Sequence, residues 1–401
     1  MATYSLRRFS YVSGLKAIAP KNLRALLEPY SGFFAGRGVT LPPPTAMDGW
    51  DHEALVHVLM NPNGDTPDDL SEALYFIHEM ATPEAMNDLL VEAEKHNVHL
   101  NGSPDPTPAD IAVQMYLQRK DIVEKKHAEQ YLVRPRSFEH FVTEISPIPI
   151  FTDPAPTTLQ VLERDMDRWF EGKKRGGNCR VFSFPKGGEV WFLVRHGEPY
   201  KREGSIENGQ SSSVFYRPEK HDVLVYVPAT GEIRMNARSK GEKDLYRRMF
   251  GFHLFGDEKF FPGNSKYSLE PLRRDGAESL VCTDVEGIDW IRLKQIEYFW
   301  GGPEREKEIR KAEDVFAALS RRDGAIPRKA ALLRASFLVK FSNSKTPRTI
   351  NVKPPNVAQY MRDSDSIIAE DWLVKRGFVV TNGEHQQEQE DMNVQPAMAI
   401  S

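Results

Sequence analysis

Cysteine is nearly absent: the chain has two, Cys179 and Cys282, far apart and without a CxxC partner. Two scattered thiols neither staple a small secreted scaffold nor supply the four ligands of a structural zinc site, so the chain is expected in a reducing compartment, the cytoplasm. Long apolar runs are missing as well. No stretch approaches the roughly twenty residues that span a bilayer, and the opening MATYSLRRFSYVSGLK has no apolar segment behind Arg7, Arg8 and Lys16. The expectation is a soluble protein without membrane association. Glycine-rich phosphate loops of the Walker or dinucleotide pattern are lacking, which argues against nucleotide hydrolysis. The run from His52 to His57 imitates a zincin helix but spaces its imidazoles five apart, about 140° around the helix axis. No zinc site is expected there, and no metal or other cofactor is expected overall.

What the chain does have is length and an uneven charge. Its 401 residues suffice for two or three cores, and its formal net charge is −4. From Thr45 to Leu100 twelve acidic residues stand against Lys95 alone, whereas from Arg321 to Arg376 twelve basic residues stand against five acids. Such polarity suits two segments that dock on each other, two solvated faces, or a basic surface directed at nucleic acid.

Punctuation then divides the chain into a basic arm and linker over 1–44, ending in Pro42-Pro43-Pro44, and an acidic helical domain over 45–144. Within that domain Thr66-Pro67-Asp68, Thr82-Pro83-Glu84 and Thr107-Pro108-Ala109-Asp110 share one grammar: threonine as N-cap, proline at the first helical position, acid in the first turn. Apolar residues at helical spacing come after each, which predicts a small bundle. A central α+β sheet domain is expected over 158–300, built on the valine- and aromatic-rich runs between Val181 and Asn236. Lys186-Gly187-Gly188 and Pro228 to Gly231 reverse the chain between runs, so the strands are antiparallel. Ser279 to Asp284 and Trp290 to Phe299 read as further strands. A module over 301–380 is expected to open with a charged helix, Glu304 to Leu319, and to continue as a basic hairpin and helix. The tail over 381–401 has no apolar pattern and reads as disordered. The fold class is therefore α+β: a helical N-terminal bundle, a central mainly antiparallel sheet, and a small C-terminal hairpin-helix module.

Two constellations in the central sheet carry chemical interest. Arg195-His196-Gly197 at the end of a strand resembles the opening of the histidine phosphatase superfamily, which implies His196 as phosphoryl acceptor and Arg195 as phosphate ligand. The helix that succeeds this motif in the family is replaced here by further sheet-forming residues, and His196 then reads as a surface or edge residue. Asp222 with Glu232-Ile233-Arg234 is similar to the layout of restriction-endonuclease-like nucleases, which implies a Mg²⁺ held by the two carboxylates. Arg234 stands where that family has lysine. A turn at Pro228 to Gly231 also sets Asp222 five residues beyond the partner of Glu232, on the order of 16 Å away.

The C-terminal module gathers Arg334, Lys340, Lys345, Arg348, Lys375 and Arg376, a set of cations suited to phosphates in DNA or RNA. Phe341 and Tyr360 are interleaved with them, while Trp372 reads as core beside Ile368 and Phe378. Taken together, these features fit a non-enzymatic binding or regulatory protein with a protein partner and a nucleic-acid contact, as a subunit in host defence or transcription control. Enzymatic function is left open: the alternative is a Mg²⁺-dependent nuclease or phosphoesterase using His196, Asp222 and Glu232 on the central sheet.

Overall fold

The computed structural model describes residues 6–43, 48–101, 106–132, 137–207, 209–263, 265–360 and 363–380. The tail expected to be disordered, 381–401, lies outside the described residues. Two compact units divide the chain, Met1–Tyr131 and Leu132–Ser401.

The first unit is helical: α1 (Val12–Lys16), α2 (Pro20–Leu27), α3 (Ser31–Gly36), α4 (His52–Met60), α5 (Asp68–Met80), α6 (Pro83–Lys95) and α7 (Pro108–Glu129). Thr82 and Thr107 cap as expected, their hydroxyls accepting from the amides of Ala85 and Asp110 at 3.1 Å each. Thr66 does not. Its hydroxyl accepts from the Asn63 amide at 2.9 Å, and α5 begins one residue late with Pro67 as its N-cap. The local turn outcompetes the cap because a threonine hydroxyl serves either. The apolar stripes of α5, α6 and α7 meet in one core that holds Leu70, Leu74, Ile77, Leu89, Ile111 and Met115. The segment read as an arm contributes Phe9, Leu15, Leu23 and Phe34 to that same core. Buried Asp110 pins it, one carboxylate oxygen accepting from the Ala19 amide and the Asn22 side chain at 2.8 Å each.

The second unit is built on strands β1 (Ser137–Val142), β2 (Arg180–Lys186), β3 (Glu189–Gly197), β4 (Lys201–Glu207), β5 (Gln210–Tyr216), β6 (Glu219–Val227), β7 (Glu232–Asn236), β8 (Ile288–Gly301), β9 (Glu306–Lys311), β10 (Ala331–Phe341), β11 (Arg348–Lys353) and β12 (Val357–Gln359). Its helices are α8 (Pro156–Gly172), α9 (Lys240–Phe255), α10 (Glu270–Arg274), α11 (Val315–Ser320) and α12 (Asp363–Lys375). Ten of these strands form one antiparallel sheet in the order β2-β3-β6-β7-β1-β12-β11-β10-β8-β9, so helix and antiparallel sheet combine as an α+β fold. Both reversals read from the sequence are in place: Lys186 pairs with Glu189 and Val227 with Glu232. Gly187 and Gly188 have φ of 61° and 82°, the left-handed conformation that a two-residue hairpin turn requires.

Strand alternation places the core on different faces in the two halves of the sheet. Phe192, Val194, Leu224, Tyr226, Ile233 and Phe141 face α8 and α9. Across β1 the buried face is the other one: Phe138 pairs with Ala358, and Ala358, Val352 and Phe337 join a second core with Trp372 of α12 and Phe378. Trp372 is fully buried, as read from the sequence, with Phe337 and Phe378 at ring distances of 5.0 and 5.1 Å. Full burial of such side chains contributes about 1.5–3 kcal/mol each.

Two expected elements are also absent. Glu304 to Leu319 is not a helix: β9 occupies its centre and only α11 is helical. Its alternating charges satisfy a strand as well as a helix, and a charged strand suits the exposed edge of a sheet. Ser279 to Asp284 is not a strand either. Gly276 to Leu280 form a 3-10 turn, closed by the Ser279 hydroxyl donating to the Gly276 carbonyl at 2.6 Å. Among the described residues no helix is long and apolar enough to cross a membrane.

Candidate functional site

His196 leaves β3 on the face beneath α8 and α9. It is 2% exposed, which corrects the reading of it as a surface residue: α8 covers this end of β3, and its Phe170 ring stacks on the imidazole at 4.3 Å and 16°. Nδ1 lies 2.9 Å from the Gly197 carbonyl oxygen and Nε2 lies 3.1 Å from Asp222 Oδ2. Both nitrogens face oxygen atoms, one of a backbone carbonyl and one of a carboxylate. The Tyr246 hydroxyl of α9 donates to the same Asp222 oxygen at 2.8 Å, and burial first, then the Asp222 charge, pushes that phenol well above its usual range.

Lys220 stands two residues before Asp222 on the same face of β6. Its Nζ reaches Asp222 Oδ1 at 3.1 Å and Glu242 Oε1 at 2.8 Å. Arg175 joins the same Glu242 oxygen at 2.6 Å. Gly197 permits that approach, because a Cβ there would sit 2.4 Å from the Arg175 carbonyl oxygen. Glu242 is the third residue of α9 and closes a capping box with Ser239. Burial works to raise its pKa, but the hydrogen bonds from Lys220 and the Ser239 amide prevail and bring it down to about 2.

The ligand atoms of His196, Asp222 and Glu242 all lie within 4.8 Å of one another, close enough for a single metal ion to bridge. Lys220 already bridges the two carboxylates of that set. Glu242 was not identified from the sequence, although Ser239-Lys240-Gly241-Glu242 carries the capping-box signature that places it.

Glu232, the expected partner of Asp222, is elsewhere. Asp222 shares the face of Leu224 and Tyr226, whereas Glu232 pairs with Val227 and therefore leaves β7 on the opposite face. There it meets His140 of β1 at 2.5 Å and Lys266 at 3.1 Å. Lys266 also reaches Glu370 of α12 at 3.2 Å, and Glu370 accepts from the hydroxyls of Tyr267 and Tyr360. This second network sits at the seam between the two cores. Burial works against the Glu232 charge, but His140 and Lys266 overcome it and hold the carboxyl far below its usual range. Burial and then the Lys266 charge lower the pKa of His140 itself.

The six cations singled out in the C-terminal segment are mostly engaged within the chain. Arg348 is 8% exposed and ion-paired to buried Asp365. Lys340 pairs with Asp289 at 3.2 Å, Lys375 with Asp371 at 2.8 Å, Arg376 with Asp284, and Arg334 donates to Asn351 at 2.9 Å. Lys345 is exposed in the β10–β11 turn. The strands that carry Arg334, Lys340 and Arg348 are interior to the ten-stranded sheet, a placement that short-range pattern does not reveal. No protein-family model and no curated protein sequence matches the chain.

Proposed function

We propose that the chain is a non-enzymatic binding protein that engages a macromolecular partner in a nucleic-acid-linked regulatory or defence system. The observation that supports this reading is the occupation of its buried acids by its own cations. Lys220 and Arg175 neutralise Asp222 and Glu242, and Lys266 neutralises Glu232 beside the His140 imidazole. Paired and hydrogen-bonded in this way, such groups specify how sheet and helices join, and a substrate would have to displace them. The two thiols, both free and buried, suit a cytoplasmic setting.

The second reading, a Mg²⁺-dependent nuclease or phosphoesterase, is favoured by the 4.8 Å grouping of His196, Asp222 and Glu242, with Glu242 replacing Glu232 in the role first expected. Plasmid DNA, single-stranded DNA and a phosphomonoester incubated with the protein and Mg²⁺ or Mn²⁺ separate the two. The binding reading expects no turnover beyond that of Asp222→Ala. Metal-dependent cleavage abolished by both Asp222→Ala and Glu242→Ala would overturn it.

A further inference from the structure

The hairpin of β3 and β6 does not stop where the large sheet stops. Its last rung there is Gly197 opposite Glu219, after which the Glu198 amide donates to the Pro218 carbonyl at 2.8 Å. Beyond Pro199 the ladder resumes with Lys201 opposite Tyr216 and runs to Glu207 opposite Gln210. One extra residue on the first strand, between the two prolines, makes a bulge that bends the hairpin out of the sheet. The hairpin continues as a two-stranded ribbon, β4 with β5, of seven rungs. At about 3.4 Å per residue it is about 24 Å long.

A lone ribbon is marginally stable in water, and this one leaves apolar side chains in solvent: Ile206 is 82% exposed, Phe215 65% and Val214 47%. Arg202 pairs with Phe215 on one face, and serines 211, 212 and 213 with Gln210 line the rest of β5. The fringe is basic. Among the described side chains from Lys173 to Arg217, every exposed charge is a cation, with exposed Glu171 and Glu219 flanking the run, while Glu189, Glu198 and Glu203 are half-buried against Arg234, Lys201 and Tyr216. Lys173 and Lys174, at the end of α8, are held at the ribbon's base: Arg217 donates to the Lys174 carbonyl at 3.1 Å and lies 4.2 Å over the Tyr200 ring.

We propose that the β4–β5 ribbon enters the major groove of duplex DNA, with Lys173, Lys174, Arg202 and Arg217 on backbone phosphates and the Ser- and Gln-bearing strand at base edges. A groove about 12 Å wide admits a two-stranded ribbon. Serine, glutamine and arginine hydrogen-bond base edges, apolar side chains meet thymine methyl groups, and the cations release counterions from the phosphates. The proposal rests on the binding reading above and supplies its partner class. It moves the nucleic-acid contact from the C-terminal cations, of which Arg348 is buried, to a surface on which Lys173, Lys174, Arg202 and Arg217 are all exposed.

Fluorescence anisotropy with a labelled random-sequence duplex of about 25 base pairs tests it. Four phosphate contacts give a slope of log K against log salt of about −3.6, an affinity loss of about 150-fold between about 50 and 200 mM salt. Lys174→Gln with Arg202→Gln halves that slope, and Phe215→Ser weakens binding without changing it. Replacing residues 199–217 by an Asn-Gly turn abolishes binding, while the β3–β6 pairing keeps the sheet closed, checked by circular dichroism. No binding at about 50 mM salt, a single strand bound more tightly than the duplex, or point variants whose affinity and salt slope equal those of the wild type overturn the proposal. So does a ribbon deletion that changes only the sedimentation coefficient, since the ribbon would then join two copies of the chain. One mixture separates the two levels: cleavage of the labelled duplex on adding Mg²⁺ overturns the binding reading, whereas neither cleavage nor an anisotropy change overturns this proposal alone.

Discussion

Lys220→Met removes the ammonium that joins Asp222 to Glu242 across 3.1 and 2.8 Å. Methionine retains a long unbranched stem, so packing is largely kept and charge is what is lost. Removing one partner of a buried ion pair costs about 3–5 kcal/mol. Here Asp222 keeps the His196 imidazole and the Tyr246 hydroxyl, and Glu242 keeps Arg175, which places the cost at the lower end, about 3 kcal/mol. In a unit of this size each kcal/mol lowers Tm by about 2–4 °C, so the second unit should melt about 6–12 °C earlier. Circular dichroism melting of both proteins, with and without Mn²⁺, measures this. The wild type is indifferent to the ion, because Lys220 occupies its place. The variant regains part of its stability with Mn²⁺, because the 4.8 Å set of His196, Asp222 and Glu242 now lacks its internal cation. A variant as stable as the wild type, or a wild type stabilised by Mn²⁺ as strongly as the variant, refutes the assignment of Lys220 as the internal counter-ion.

Stability of the second unit is expected to fall on acidification in two stages. His140 has its pKa lowered from 6.5, so below that value the unfolded chain takes up a proton the fold refuses; Glu232, Glu242 and Glu370, lowered from 4.5, add to the slope below that pH. Each such group contributes up to about 1.4 kcal/mol per pH unit, and urea titrations between pH 8 and pH 4 read the slope; a flat profile contradicts the buried networks. Tyr246, Tyr267 and Tyr360, raised above 10.0, impose a matching loss at alkaline pH. Arg348→Met breaks the buried pair with Asp365 at a cost of about 3–5 kcal/mol. Lys345→Gln, on an exposed turn, stays within about 0.5 kcal/mol, and equal effects of the two in chemical denaturation argue against the burial of Arg348.

Local signals in the sequence carried local structure. The Gly187-Gly188 turn, the threonine caps at 82 and 107, and the apolar stripe of α6 are each decided within a dozen residues. Long-range pairings left no such trace. His140 meets Lys266 across a separation of 126 residues, and nothing near either one announces the other. The Asp222 and Glu232 pairing failed for a reason that was in the sequence: the same turn that separates them along the strand also sends them to opposite faces. The ribbon was legible too, in Glu207-Asn208-Gly209-Gln210, an Asn-Gly turn between strand-forming runs, with Gly209 at φ 77°. Pro199 and Pro218 obscured it by dividing one hairpin into two.

The seam at β1 imposes an order on synthesis. This strand leaves the ribosome first, gains β7 as a neighbour once residue 236 is made, and gains β12 only when residue 359 has emerged. A nascent chain paused between those points holds a half-sheet whose last strand shows a raw row of amides and carbonyls, the kind of edge that recruits stray strands. In the finished fold β12 closes that edge, and every rung it supplies, Ser137 opposite Gln359 to Glu139 opposite Val357, waits for the last third of the chain.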